Sequence, residues 1–196
     1  MTQQLLICTD LDRTLIPNGP QSESPTAREH FALMATRPEV TLAYVSGRHR
    51  ALVDRAIANY RLPSPDYVIG DVGTTMYRVG PKRLWQKLTA WEDEIAKDWG
   101  GKSHAELRAL SRDIPSLRPQ ELSKQNDYKL SYYVPLHSDR NALSAMIDAR
   151  LKASGVTARL IWSVDEPTGI GLLDILPASA SKYHAVEALM RLQEFD

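Results

Sequence analysis

The sequence predicts an α/β protein: a Rossmann-like, doubly wound parallel sheet that carries an inserted α/β module. Three observations lead there. Short apolar runs of strand length alternate with helical stretches over roughly the first seventy residues. Strand, helix, strand, helix, strand implies right-handed crossovers and a parallel sheet. After about residue 80 the order changes to helix then strand, and a final helix follows, which marks a separate module set into the first domain.

The elements follow in order. Leu5 to Thr9 is nearly continuous in apolar residues, the pattern of a strand buried on both faces in a parallel sheet. Cys8 within it is expected to be buried and inert. Ser24-Pro25-Thr26 opens a helix over Ala27 to Ala35. Thr41 to Val45 is a second buried strand, and Arg50 to Tyr60 a helix with Leu52, Val53, Ala56 and Ile57 on one stripe. Tyr67 to Ile69 is a third strand, and Asp71-Val72-Gly73-Thr74 reads as the turn after it. Thr74 to Gly80 reads as strand and turn, Trp91 to Trp99 and Ala105 to Leu110 as helices, and Tyr128 to Pro135 as an alternating strand. Asp139 to Ala153 is a helix with Leu143, Met146, Ile147 and Leu151 in register. Thr157 to Val164 and Gly171 to Leu176 are strands, and Ser181 to Phe195 is the last helix. The first domain is therefore expected over residues 1–79 and 178–196, with the inserted module over 80–177. Trp85, Trp91, Trp99 and Trp162 all fall in that module, chiefly as packing residues.

Composition narrows the function classes. The 196 residues include 24 Lys plus Arg against 24 Asp plus Glu, a formal net charge of zero. No global field draws the chain to nucleic acid or to an anionic membrane, so a small-molecule partner is expected. A single cysteine allows no internal disulfide, which fits a reducing, cytoplasmic compartment. The opening Met1-Thr2-Gln3-Gln4 lacks a basic region, and the apolar run after it is broken by Asp10 and Asp12, so neither a signal peptide nor a membrane span is expected. His30, His49, His104, His137 and His184 show no metal-ligand spacing. Oligomeric state is not legible.

The strongest chemical signal is Asp10-Leu11-Asp12-Arg13-Thr14, directly after the first strand. Ligands of open α/β sheets bind beyond the carboxyl ends of the strands. Two carboxylates two residues apart can project to one side; one could attack phosphorus while the other moves protons. Mg²⁺ is held by a few carboxylates together with substrate phosphate and water. An isolated Asp-x-Asp also reads as a cap or a solvated turn. Ser46-Gly47 follows the second strand, where the Ser46 hydroxyl and the Gly47 N–H could grip a phosphate oxygen; alone the pair also reads as a turn. Lys182 stands at the start of the last helix, where it could neutralise phosphate or simply be solvated. Lys129, in the alternating segment of the module, could reach a substrate, or be an exposed strand lysine.

Taken together and in this order, these motifs resemble the haloacid dehalogenase (HAD) superfamily of the type with a large α/β cap. The nearest likeness is to the sucrose-phosphate phosphatase group, through Val72-Gly73-Thr74, Tyr128-Lys129-Leu130-Ser131-Tyr132-Tyr133 and Leu173-Asp174-Ile175-Leu176-Pro177 leading into Ser181-Lys182. The resemblance implies a phosphomonoesterase that cleaves a sugar phosphate or related ester through an aspartyl-phosphate. Asp10 would be the nucleophile, and Asp12 would protonate the leaving alcohol and then activate water. Mg²⁺ would sit on the Asp10 carboxylate and the Asp12 backbone carbonyl. Ser46, Gly47 and Lys182 would hold the phosphate, Thr14 would support the phosphate loop, and the cap, Lys129 included, would choose the leaving group. Other readings are a phosphatase of another osmolyte (mannosyl-phosphoglycerate or a trehalose phosphate), a phosphomutase, or a non-catalytic phosphate-binding fragment. The sequence departs from the pattern twice. Arg13 stands where the superfamily often has Gly, a strained choice if the position needs positive φ. The superfamily's acidic fourth motif, on the strand after the Lys182 helix, has no counterpart in residues 1–196. The resemblance therefore implies weak Mg²⁺ binding, negligible turnover, and an unpaired outer edge on Leu5 to Thr9 that invites self-association or poor solubility, for these residues alone.

Overall fold

The computed structural model describes residues 4–17 and 22–195. It divides into two compact units, Met1–Trp91 with Lys182–Asp196, and Glu92–Ser181.

The first unit is built on five strands, β1 (Leu5–Thr9), β2 (Val40–Val45), β3 (Tyr67–Gly70), β4 (Thr75–Gly80) and β5 (Leu84–Lys87), in the order β1-β2-β3-β4-β5. The first three are parallel, and β4 and β5 continue the sheet antiparallel. Two helices, α1 (Ala27–Ala35) and α2 (Arg50–Asn59), make the parallel crossovers. Alternation along β2 sorts its side chains between the two faces. Leu42 and Tyr44, with Val68 of β3, pack against Val53, Ala56 and Ile57 of α2, beside Phe31 and Ala35 of α1. Cys8 and Val45, on the other face, share a recess with Lys182, Tyr183 and Val186 of the last helix, α6 (Lys182–Leu192). Helices thus cover both faces, the doubly wound arrangement expected. The α6 stripe that turns inward is Ala185, Ala188 and Leu189, at the i, i+3, i+4 spacing of one helix face.

The second unit holds a four-stranded antiparallel sheet of β6 (Arg118–Pro119), β7 (Leu130–Val134), β8 (Ala158–Asp165) and β9 (Ile170–Pro177), in the order β6-β7-β9-β8. A short α3 (Thr89–Ile95) runs across the unit boundary; α4 (His104–Ala109) and α5 (Arg140–Ala153) lie within this unit. Ser103 starts α4 through a reciprocal capping box with Glu106, and the Asp139 carboxylate caps α5 by accepting from the N–H groups of Asn141 and Ala142. One sheet face is apolar: Leu130, Tyr132 and Val134 of β7 and Leu173 and Ile175 of β9 pack against Leu143, Ile147 and Leu151 of α5. The residues between them are polar, and Ser131 Oγ donates to Asp174 Oδ1 across the β7–β9 pair. Among the described residues, no helix is long and apolar enough to cross a membrane.

Among the described residues β1 pairs on one side only, as the first strand in the sheet order, the open edge expected where the superfamily's next strand has no counterpart. Three expectations need correction. First, Cys8 is exposed rather than buried, because an edge strand lacks cover on its open side. Second, the unit boundary falls at Trp91 rather than at residue 79, because β5 returns to the first sheet; Trp85 and Trp91 therefore belong to the first unit. Third, Lys129 is not an exposed strand residue. It immediately precedes β7, is 4% exposed, and its backbone pairs with Asn126 in an isolated bridge.

Candidate active site

The three parallel strands end together, and each is followed by a polar residue: Asp10 after β1, Ser46 after β2 and Asp71 after β3. This carboxyl edge is where open α/β sheets bind their ligands.

After Asp10 the chain turns back on itself. The N–H groups of Leu15 and Ile16 both donate to Leu11 O, and Arg13 N–H donates to Ile16 O. Buried Leu11 and Ile16 anchor the turn in the core of the first unit. Arg13 takes φ 58, so the position does demand left-handed backbone, and a non-glycine residue holds it. The turn leaves Asp10 facing outward at the end of its strand. Its Oδ1 accepts the Leu11 N–H at 2.7 Å, and its Oδ2 accepts from Lys182 Nζ at 2.6 Å. Lys182 is the first residue of α6, so the fold brings together two charges 172 residues apart in sequence. Both side chains stay 37% exposed beside an open recess of about 290 Å³.

Asp12 is engaged elsewhere. Arg48 grips its carboxylate with both arms of the guanidinium, Nε to Oδ2 at 2.8 Å and Nη2 to Oδ1 at 2.5 Å. Hydrogen bonding to that carboxylate raises the Arg48 guanidinium above the usual arginine range. Arg48 is itself fixed by its backbone. Its N–H donates to Ser46 Oγ at 3.1 Å, and its carbonyl accepts from the Asp71 N–H at 3.0 Å. Ser46 is fully buried. With its oxygen accepting from Arg48, its own proton is left to donate toward an anion.

The loop after β3 supports this arrangement from the far side. Asp71, Val72 and Gly73 take φ values of 52, 62 and 98, three left-handed residues in a row. For β-branched Val72 that conformation costs about 1–3 kcal/mol, and such strain persists only where the surroundings enforce it. Here Val72 N–H donates to Ser46 O, Trp91 Nε1 donates to Gly73 O at 2.9 Å, and Thr75 Oγ1 donates to Asp71 Oδ2 at 3.1 Å. Space is tight at Gly70, where the loop starts: a Cβ there would lie 3.1 Å from Arg48 O.

The structure therefore gathers Asp10, Asp12, Ser46, Gly47 and Lys182 on adjoining loops of the first unit. Thr14 is exposed and lines a separate cleft with Ser24 and Arg28. Lys129 lies in the second unit. Sequence reasoning missed Arg48, whose only signal is its place directly after Ser46-Gly47 at the start of a helix. It also took Asp71 to Gly73 for an ordinary turn, although two glycines bracketing Asp71-Val72 mark unusual backbone. No three His, Cys, Asp or Glu side chains gather as a metal cage among the described residues. The donors at the end of β1, the Asp10 carboxylate and the Asp12 carbonyl, are hard oxygens of the kind Mg²⁺ accepts.

Comparison with known proteins identifies the family. The profile of the sucrose-6F-phosphate phosphohydrolase family matches residues 3–196. An HAD-like hydrolase of Nitrosococcus oceani is 53% identical over 196 residues, all of this chain and 53% of that protein. A mannosylfructose-phosphate phosphatase of Agrobacterium fabrum is 30% identical over 180 residues, 90% of this chain and 65% of the relative. The chain thus spans less than two thirds of either protein. Among solved structures, the sucrose-phosphatase of Synechocystis in complex with sucrose and phosphate superposes with a TM-score of 0.78 at 25% identity, over 100% of this chain and 72% of that one.

Proposed function

The chain belongs to the sucrose-6F-phosphate phosphohydrolase family, and from that premise we propose that it provides the catalytic centre of a Mg²⁺-dependent phosphatase acting on a sugar phosphate. The observation that carries the reading is the 2.6 Å contact of Lys182 Nζ with Asp10 Oδ2 at the carboxyl edge of the sheet. A lysine at that point pairs with the nucleophile before the reaction and with a phosphate oxygen during it. Names of relatives point the same way: one is a mannosylfructose-phosphate phosphatase, and another was solved with sucrose and phosphate.

The mechanism follows from the side chains. An Asp10 carboxylate oxygen attacks phosphorus, and the bond from phosphorus to the sugar oxygen breaks. Asp12 gives the departing sugar oxygen its proton. Asp12 then takes a proton from a water molecule that attacks the aspartyl-phosphate at phosphorus, releasing inorganic phosphate and restoring Asp10. Ser46 and the Gly47 N–H hold phosphate oxygens, and Lys182 offsets their charge. Mg²⁺, held by the Asp10 carboxylate and the Asp12 carbonyl, would neutralise charge on the transferring group. At full natural length, the protein is expected to release phosphate from sugar phosphates in the presence of Mg²⁺ and to stop when the metal is chelated. Unchanged release after chelation would remove Mg²⁺ from the account, and no release from any sugar phosphate would sink the reading.

We assign the choice of sugar to the second unit, because the first offers only contacts that any phosphate ester could use. The second unit carries the polar side of a sheet, with Ser131 bonded to Asp174 and Lys129 two residues upstream. Sites that hydrogen-bond a sugar hydroxyl reject analogues lacking it, by about 10⁴-fold in strong cases. Lys129→Ala is expected to reorder preference among sugar phosphates while changing turnover of a generic aryl phosphate far less. Equal losses on both, in steady-state assays, would return Lys129 to a purely structural role.

A further inference from the structure

Arg48 has no role in the mechanism so far, yet it makes the tightest contact of any side chain in the site with one of the two reacting carboxylates. Its grip on Asp12 is two-pronged, at 2.8 and 2.5 Å. Paired donors of this kind fix the plane of a carboxylate as well as its position. The arginine that provides them is held in turn at both ends of its backbone. Its N–H is tied to Ser46 Oγ, and its carbonyl accepts from the N–H of Asp71, the first residue of the strained Asp71–Gly73 loop. The strain at Val72 thus has a use: it supports the loop that aims Arg48. Asp12 by contrast lies in the turn after β1, bridged to Ile16. Among the described residues, the Asp12 carboxylate is held by the Arg48 guanidinium.

Resting on the phosphatase reading above, we propose that Arg48 is the positioning residue for Asp12, orienting its carboxylate for proton transfer to and from the sugar oxygen and water. Nε and Nη2 occupy one lone pair on each carboxylate oxygen and leave the other for the proton in transit. Nε and Nη2 both donate to Asp12, so Arg48 acts through that residue. The consequence is a particular dependence on the leaving group. An alkyl sugar oxygen is a poor leaving group and needs its proton from Asp12 as the bond to phosphorus breaks. A nitrophenolate leaves without one.

The test uses Arg48→Ala and Arg48→Lys in the protein at its full natural length, with Mg²⁺. kcat/KM is read because it reports formation of the aspartyl-phosphate. For the best sugar phosphate, kcat/KM is expected to fall about 10–100-fold in Arg48→Ala, the scale of loss when a reacting group is misplaced by about 1 Å. For p-nitrophenyl phosphate it should change less than about threefold. Arg48→Lys keeps the charge without the fork and should fall between. Equal losses on both substrates would overturn the proposal, whether the cause is lost phosphate binding or a damaged fold. A loss confined to KM, or a variant indistinguishable from wild type on the sugar phosphate, would overturn it too. A wild-type protein inactive on both substrates would instead count against the phosphatase reading itself, so the two failures are distinct.

Discussion

Asp10→Asn is expected to abolish phosphate release, by about 10⁴-fold or more, the scale seen when a catalytic nucleophile is removed. The asparagine is nearly the same size, and its amide oxygen can still accept the Leu11 N–H that the Asp10 carboxylate accepts at 2.7 Å. The turn anchored by buried Leu11 and Ile16 should therefore survive. What is lost is a carboxylate oxygen able to attack phosphorus, and with it the anionic partner of Lys182. Steady-state release of phosphate, measured beside far-UV circular dichroism to verify the fold, checks this. Activity within tenfold of wild type would exclude Asp10 as nucleophile.

The second large effect is expected at Lys182. Lys182→Ala should leave α6 intact, since alanine is the best helix former and the buried stripe of Ala185, Ala188 and Leu189 is untouched. It removes the ammonium that the structure sets on Asp10, at 2.6 Å. That ammonium offsets the charge that builds as a phosphate dianion meets a carboxylate. Removing one preorganised stabiliser of this kind costs about 10²–10³ in rate. The loss should appear in kcat/KM for sugar and aryl phosphates alike, because Lys182 serves the phosphate and not the leaving group. This sets it apart from Arg48, whose loss should be selective. A Lys182→Ala protein with wild-type kcat/KM would make Lys182 a solvated helix-start residue and nothing more.

The parts of the fold that were legible in the sequence are those fixed by local pattern. The apolar runs at Thr41 to Val45 and Tyr67 to Ile69 read as buried strands because both of their faces are covered by helices. The α5 helix was legible through its Leu143, Ile147, Leu151 stripe and its Asp139 cap. Features set by distant neighbours were not legible. The β5 strand, Leu84–Lys87, is short and largely exposed, with only Trp85 half-buried, so it carries no alternation to read; hence the unit boundary came out too early. Cys8 looks buried by composition, but its exposure depends on where β1 sits in the sheet order. Lys129 looks exposed by chemistry and is buried by its surroundings. In the site, Asp10 was legible from its place after a strand. Lys182 acquired meaning only through resemblance to a family, because a lysine at a helix start is ordinarily solvated. Arg48 and Asp12 are 36 residues apart, and no local pattern links them.

The central claim is that Asp10 carries the phosphoryl group during turnover, and trapping that group tests it most directly. The protein at full natural length is mixed with sugar phosphate and Mg²⁺, quenched in acid within a single turnover, reduced with borohydride and digested for peptide mass spectrometry. An aspartyl-phosphate is reduced to the corresponding alcohol, whereas a free carboxylate is not. The account predicts reduction at position 10 alone, only in samples given substrate. Phosphate release that proceeds with no reduction at position 10, or with reduction at another aspartate, would contradict it.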